Sequence, residues 1–297
     1  MEIIATLPPP HLARMREVAA NPNIDFYRFN TGAKTPYSPK ETIQKILEHV
    51  PIEKLWIDIK GRQLRIDMWA VYPFGDIVLN RDIKVDVPAK IYFRNDDIST
   101  IVDVQGRKIF ADPGPRYYVG TGQAVNIQGN NFEVLGCYLT DTDKEYIRAG
   151  RELGVHKYML SFLEKPSDIA EVLAIDPEAE IGGKIESLPG LEFIKNDCSW
   201  SEKNIRLIAA RDDLFINIGS DKKQIFDALK LIIKQDPKAV VASRLFTSLE
   251  KGNDLTLSDL SDICLMQDMG YGSFLLSDGL CSNPAALRQA ISILRTF

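Results

Sequence analysis

Short apolar runs separated by stretches of helical periodicity constrain this chain more than any other feature. The runs fall at Glu2–Thr6, Ile24–Asn30, Lys54–Asp58, Lys157–Ser161, Ala179–Ile185, Leu214–Ile218, Ala239–Ala242 and Ser273–Leu276. Between them lie segments with helix start signals. Ser38 precedes Pro39 and Glu41 in a capping-box pattern, and Thr140 or Asp141 can cap the next long helix. Eight strands alternating with helices predict an α/β fold, a (β/α)8 TIM barrel. One stretch breaks the rhythm. From about Met68 to Leu135 short strands alternate with turns such as Gln105-Gly106 and Asp112-Pro113-Gly114, without a helical pattern. This predicts a small all-β domain, residues 68–135, inserted after the third strand of a barrel built from 1–67 and 136–297.

Composition narrows the classes of function. Of the 297 residues, 45% are hydrophobic and 26% charged, with a formal net charge of -5. That balance disfavours nucleic acid and anionic membrane surfaces as partners. The chain has no apolar run long enough for a membrane span, and its first residues lack the basic segment and apolar core of a signal peptide. Cys137, Cys198, Cys264 and Cys281 are widely spaced, which indicates neither a zinc site nor a disulfide framework. A cytoplasmic protein acting on a small molecule is expected, with a homo-oligomer left open.

In such a barrel the chemistry gathers where the strands end. Lys184 and Glu186 close the fifth strand and, two apart, project to one face. The carboxylate suits a hard cation, and the ammonium suits negative charge developing on a substrate. The other strand ends add Arg28 and Asn30, Asp58 and Lys60 with Arg65 beyond, Ser161 and Lys165, Asp221, Ser243 and Arg244, and Ser277 and Asp278. Cations around two carboxylates suit a metal-bound anionic substrate.

These residues carry a family resemblance. Ile4-Ala5-Thr6-Leu7-Pro8, Arg28-Phe29-Asn30, the run Asp58-Ile59-Lys60-Gly61-Arg62-Gln63-Leu64-Arg65, and Ser161-Phe162-Leu163-Glu164-Lys165 resemble successive motifs of pyruvate kinases. Lys184-Ile185-Glu186 matches that family's Lys-Ile-Glu, and Ala242-Ser243-Arg244-Leu245 resembles its Ala-Thr-Gln-Met. The resemblance implies phosphotransfer between phosphoenolpyruvate and ADP, or pyruvate and ATP, in glycolysis. It implies Lys184, Arg28 and Ser243 as catalytic groups. Arg65, Lys60 and Ser277 would serve nucleotide or phosphate. Glu186 and Asp221 would hold Mg2+ or Mn2+, and Asn30 and Asp58 are the positions left for K+.

The departures are as informative. Thr31-Gly32-Ala33 stands where the family has Ser-His, Gln63 where it has Glu or Lys, and Leu257 where it has Arg. The matched region stops short of the family's C-terminal regulatory domain, so no sugar-phosphate activation through such a domain is expected. The enolate side of the site is kept better than the nucleotide side. Three readings follow: a pyruvate kinase-like phosphotransferase, an enolate-forming lyase or aldolase of the phosphoenolpyruvate/pyruvate barrel group, and a non-catalytic relative that binds a ligand.

Overall fold

A computed structural model describes the chain except residues 94–96, 198–199, 201–204 and 253, so Cys198 lies outside the described residues. Its strands, in chain order, are β1 (Glu2–Leu7), β2 (Phe26–Asn30), β3 (Leu55–Ile59), β4 (Ile77–Val78), β5 (Ile83–Lys84), β6 (Ala89–Phe93), β7 (Asp97–Gln105), β8 (Lys108–Ala111), β9 (Val125–Gln128), β10 (Glu133–Val134), β11 (Lys157–Leu160), β12 (Glu180–Ile185), β13 (Ile205–Ala210), β14 (Val240–Ala242) and β15 (Ser273–Leu276). Two compact units emerge. One comprises residues 1–61, 139–214 and 223–297; the other comprises 62–138 and 215–222.

The first unit is a closed parallel barrel in the order β1-β15-β14-β13-β12-β11-β3-β2. Helices cover its outside, as expected when parallel strands must bury both faces. Ile4, Trp56, Met159, Ile208, Val240 and Leu275 pack together from six different strands and fill the interior. Strand exits are pinned by helix caps. Ser38 and Glu41 cap each other reciprocally at the start of the helix Pro39–Leu47, as do Thr140 and Asp143 at Asp141–Glu152. Asp143 does a second job: its carboxylate accepts from Lys60 N at 2.8 Å and from Gly61 N at 3.1 Å. The chain leaving β3 is thereby tied to the next barrel helix, and Gly61 takes the left-handed conformation that this exit requires.

The second unit holds a five-stranded antiparallel sheet, β4-β8-β7-β6-β9, and the separate pair β10-β5. Alternate residues point inward, so Ile91, Phe93, Ile101, Ile109 and Ile127 form a core of their own with Leu79. The predicted all-β module inserted after the third barrel strand is therefore present. Residues 215–222, expected in the barrel, fall with this unit: Lys222 Nζ donates to the carbonyls of Phe215 and Ile216, and Asn217 Nδ2 donates to Asn126 Oδ1 at 2.9 Å.

One expected strand is corrected. The sixth barrel strand is β13, Ile205–Ala210, whereas Leu214–Ile218 falls largely within the helix Arg211–Asn217. Both runs are short and apolar, and periodicity does not separate them. Pairing decides: Ile205–Ala209 lie in register with Ile181–Ile185 of β12, and Ile208–Ala210 with Val240–Ala242 of β14. The residues leaving the sixth strand are consequently Arg211, Asp212 and Asp213. Asp221 follows a helix rather than a strand.

Two glycines hold the turn after β11. A Cβ on Gly183 would come within 2.4 Å of Leu163 Cδ2, and one on Gly190 within 2.8 Å of the Leu163 carbonyl oxygen. The second contact is with backbone and does not yield by rotamer change. Gly190→Ala is expected to destabilise the fold by about 1–3 kcal/mol through overpacking, measured as a lowered urea midpoint with an unchanged slope.

Candidate functional site

The site is built around Asp58, near the end of β3 and completely buried. Three cations surround it, two from strands and one from the exit of β3. Arg28, from β2, directs both Nε (2.7 Å) and Nη2 onto Asp58 Oδ2. Lys60 Nζ stands 3.4 Å from the same oxygen, and Lys184 Nζ from β12 stands 3.6 Å from Oδ1. All three cationic side chains are at least nine-tenths buried. Burial alone would raise the Asp58 carboxyl; Arg28, Lys184 and Lys60 together reverse this and hold it far below the usual carboxylate range.

Lys184 links this cluster to Glu186. Its Nζ lies 3.1 Å from Glu186 Oε1 and donates to Ser161 Oγ at 2.8 Å. Ser161 is positioned in turn, with Oγ 3.0 Å from the Ile59 carbonyl oxygen. Burial would lower the Lys184 ammonium, but Asp58 and then Glu186 more than offset that, and it is raised. Glu186 is the other extreme. Burial pushes its carboxyl up to about 7; Lys184 opposes the shift and Asp213 adds to it. Its Oε2 accepts from the Phe162 amide at 2.7 Å. Phe162 achieves this from a left-handed conformation (φ 52°), a strained backbone of the kind that persists where the surroundings over-determine it.

The neighbouring strand mouths are equally fixed. Ser243 and Arg244, following β14, both have positive φ. Arg211 holds this turn: its Nε (3.1 Å) and Nη2 (2.7 Å) donate to the Ser243 carbonyl, while Nη1 and Nη2 make a bidentate pair with Asp262 at 2.6 and 2.8 Å. Arg244 pairs with Asp212. Asp278, after β15, accepts from Arg28 Nη1 at 2.9 Å and from Asn30 Nδ2 at 3.2 Å.

The structure thus gathers Arg28, Asn30, Asp58, Lys60, Lys184 and Glu186 in the barrel unit. Ser243 sits on its clamped turn. Ser277 caps the short helix Asp278–Cys281 and bonds Glu250 Oε2 at 2.8 Å. Arg65 belongs to the second unit, where it donates to Gln63 Oε1 and the Gly122 carbonyl. Asp221 belongs to that unit as well and is exposed. Besides Asp58, a second carboxylate acts on both Lys184 and Glu186: Asp213, missed because the sixth strand was placed too late in the chain. Its signal was present: an Asp-Asp pair directly after an apolar run, Ile205–Ala210.

Among the described residues no cluster of three or more His, Cys, Asp or Glu exists to encage a metal. A magnesium-like ion needs less, since it is commonly held by one or two carboxylates plus water and substrate oxygens. Glu186, on which the Asp213 charge acts, fits that donor set: a cation would relieve the repulsion that helps to raise the Glu186 carboxyl. Asn30 and Asp58 do not fit a monovalent cation. Asp58 is already surrounded by cations, and Asn30 Oδ1 accepts from Gly32 N at 3.1 Å while its amide donates to Asp278.

Two expectations follow. Asp58→Asn leaves three buried cations without their shared counter-charge and should lower stability by about 3–5 kcal/mol, read from chemical denaturation. Glu186 makes stability depend on pH. Between about pH 4.5, its ordinary value, and about 7 the folded chain holds a proton that the unfolded chain releases. The folded state therefore binds more protons, and its stability falls as pH rises through that window, by about 3 kcal/mol in all. Glu186→Gln should flatten this slope. Asp58, with its carboxyl depressed, acts oppositely, and its contribution is lost only as pH falls below about 3.8.

No family profile matches the chain. It is similar to curated pyruvate kinases. The Thermoplasma acidophilum enzyme is 26% identical over 70% of this chain and 41% of its own length. Human pyruvate kinase PKLR is 26% identical over 88% of this chain and 53% of its own length, and the Staphylococcus epidermidis enzyme 26% over 73% and 39%. The chain spans about half the length, or less, of the curated relatives it matches. No helix among the described residues is long and apolar enough to cross a membrane.

Proposed function

We propose that the chain is a pyruvate kinase-like phosphotransferase acting at the enolate oxygen of phosphoenolpyruvate and pyruvate. The observation that carries this reading is the buried ammonium of Lys184, 3.1 Å from Glu186 and held by Asp58 and Ser161 at the strand mouths of the barrel. Similarity to proteins named pyruvate kinase supports it. Phosphoryl transfer asks little covalent chemistry of a protein; positioning and charge neutralisation dominate.

Each residue has a place in that scheme. Lys184 presents a preorganised positive charge to oxygen as negative charge develops there, in a site where little reorganisation is needed. Asp58 keeps Lys184, Arg28 and Lys60 charged and fixed, and takes no proton itself. Arg28 contacts a phosphate or carboxylate oxygen. Ser243, whose backbone is clamped by Arg211, stands where a hydroxyl meets the enolate carbon. Glu186 with Asp213, in place of Asp221, would hold a magnesium or manganese ion. Such an ion, when bound, supplies Lewis-acid stabilisation of the substrate's carboxylate and carbonyl oxygens.

One observation favours the second reading, an enolate-forming lyase or aldolase. The guanidinium expected to receive phosphate is already bracketed by Asp58 and Asp278.

Exchange of the pyruvate C3 protons with solvent tests the shared chemistry without assuming the acceptor. Wild type with magnesium or manganese should exchange them, and Lys184→Met should be slower by about 10²–10³, mainly in kcat. Exchange in Lys184→Met as fast as in wild type would remove Lys184 from the site. Exchange in wild type without phosphorylation of ADP would favour the lyase reading. Absence of both activities would favour a binding protein.

A further inference from the structure

We propose that Asp278 is an internal anion occupying the outward side of Arg28, so that a phosphate-bearing ligand enters this site only by displacing a carboxylate of the chain itself. The inference rests on the reading of Arg28 as the anion contact and names what controls that contact.

Arg28 has two sides. Its Nε and Nη2 face Asp58, which is fully buried and has no route out. Its Nη1 faces Thr6 Oγ1 at 3.1 Å and Asp278 Oδ2 at 2.9 Å. Thr6 is buried, whereas the Asp278 side chain is 53% exposed. Of the groups on Arg28, Asp278 is therefore the one that can swing into solvent. The Asn30 amide also points at it, with Nδ2 at 3.2 Å from Oδ1 and 3.4 Å from Oδ2. A guanidinium N–H and an amide N–H converging on two oxygens form a donor set that a phosphate would use equally well. The backbone beneath stays put while the side chain moves, because the Asp278 carbonyl accepts from Ser282 N at 3.0 Å and Ser282 Oγ at 2.7 Å.

Charge explains the consequence. Asp58, shared with Lys60 and Lys184, already faces Arg28, and Asp278 places a second negative charge on the same guanidinium. An incoming phosphate dianion meets repulsion from both carboxylates and must also break the Asp278 contacts. A monoanionic 2-oxo acid is penalised less, since it carries half the charge. Asp278 thus sets the site's preference between a phosphate ester and a simple carboxylate.

The test is equilibrium binding of inorganic phosphate and of phosphoenolpyruvate to wild type, Asp278→Ala and Asp278→Asn, and to each of these combined with Arg28→Lys. Removing one half-exposed like charge at contact distance should tighten phosphate binding about tenfold, with pyruvate affinity changing less. Arg28→Lys keeps the charge facing Asp58 but lacks the fork, and should abolish the gain. Asp278→Asn keeps the shape, so it decides the matter if the alanine variant fails to fold. Equal or weaker phosphate binding in the variants overturns the proposal, as does a gain that survives Arg28→Lys, and so does undetectable phosphate binding throughout. Pyruvate proton exchange on the same proteins separates this result from the wider reading. A tenfold gain without any exchange or phosphotransfer would keep the role of Asp278 and remove the phosphotransferase.

Discussion

The site depends on one carboxylate that never sees water. Asp58 is fully buried and meets Arg28, Lys60 and Lys184. Taking four charged groups out of water is costly, and their mutual attraction repays the cost only when geometry and hydrogen bonding are good. Here the barrel supplies the geometry. β2 delivers Arg28, β12 delivers Lys184, β3 delivers Asp58 with Lys60 at its exit, and Asp143 fixes that exit. A hydrophobic residue in place of Asp58 would pack more cheaply, but it would remove the counter-charge that the three cations share. Its retention makes sense as the scaffold for a positive centre that must stay charged.

That centre is balanced against a second carboxylate in a different state. Asp58 is held ionised by its neighbours, whereas Glu186 is pushed up to about 7 by burial despite lying beside Lys184. Two carboxylates near one ammonium are thus driven apart in proton affinity, which separates a structural anion from a responsive one. Asp213 adds its negative charge to the rise at Glu186. The backbone contributes as well: the left-handed turns at Phe162 and Ser243 sit at strand mouths, one aiming an amide at Glu186 and the other clamped through its carbonyl by Arg211. Strain of this kind is consistent with a site whose groups are held in place before a ligand arrives.

The apolar runs, their helical spacers and the β interruption were legible because each reflects local periodicity that burial imposes along the chain. Seven of the eight barrel strands were placed within a few residues in this way. Lys184 and Glu186 were legible too, because two residues on one strand face must meet. The sixth strand was not. Ile205–Ala210 and Leu214–Ile218 are both short and apolar, and only pairing with β12 and β14 chooses between them. That one shift put Asp221, rather than Arg211, Asp212 and Asp213, at the expected exit of the sixth strand.

The sequence by itself determined the fold class and the identity of the charged residues at the strand mouths, since strand alternation and residue type are local properties. Only the tertiary structure decided which charges face one another. Barrel closure brings Asp278, at the end of the last strand, within hydrogen-bond distance of Arg28 on the second, across 250 residues of chain. It also turns the Asn30 amide toward Asp278 and places the Ser277 hydroxyl at a helix cap. Coulomb interactions follow distance in space, and no pattern along the chain encodes that distance until the strands have paired.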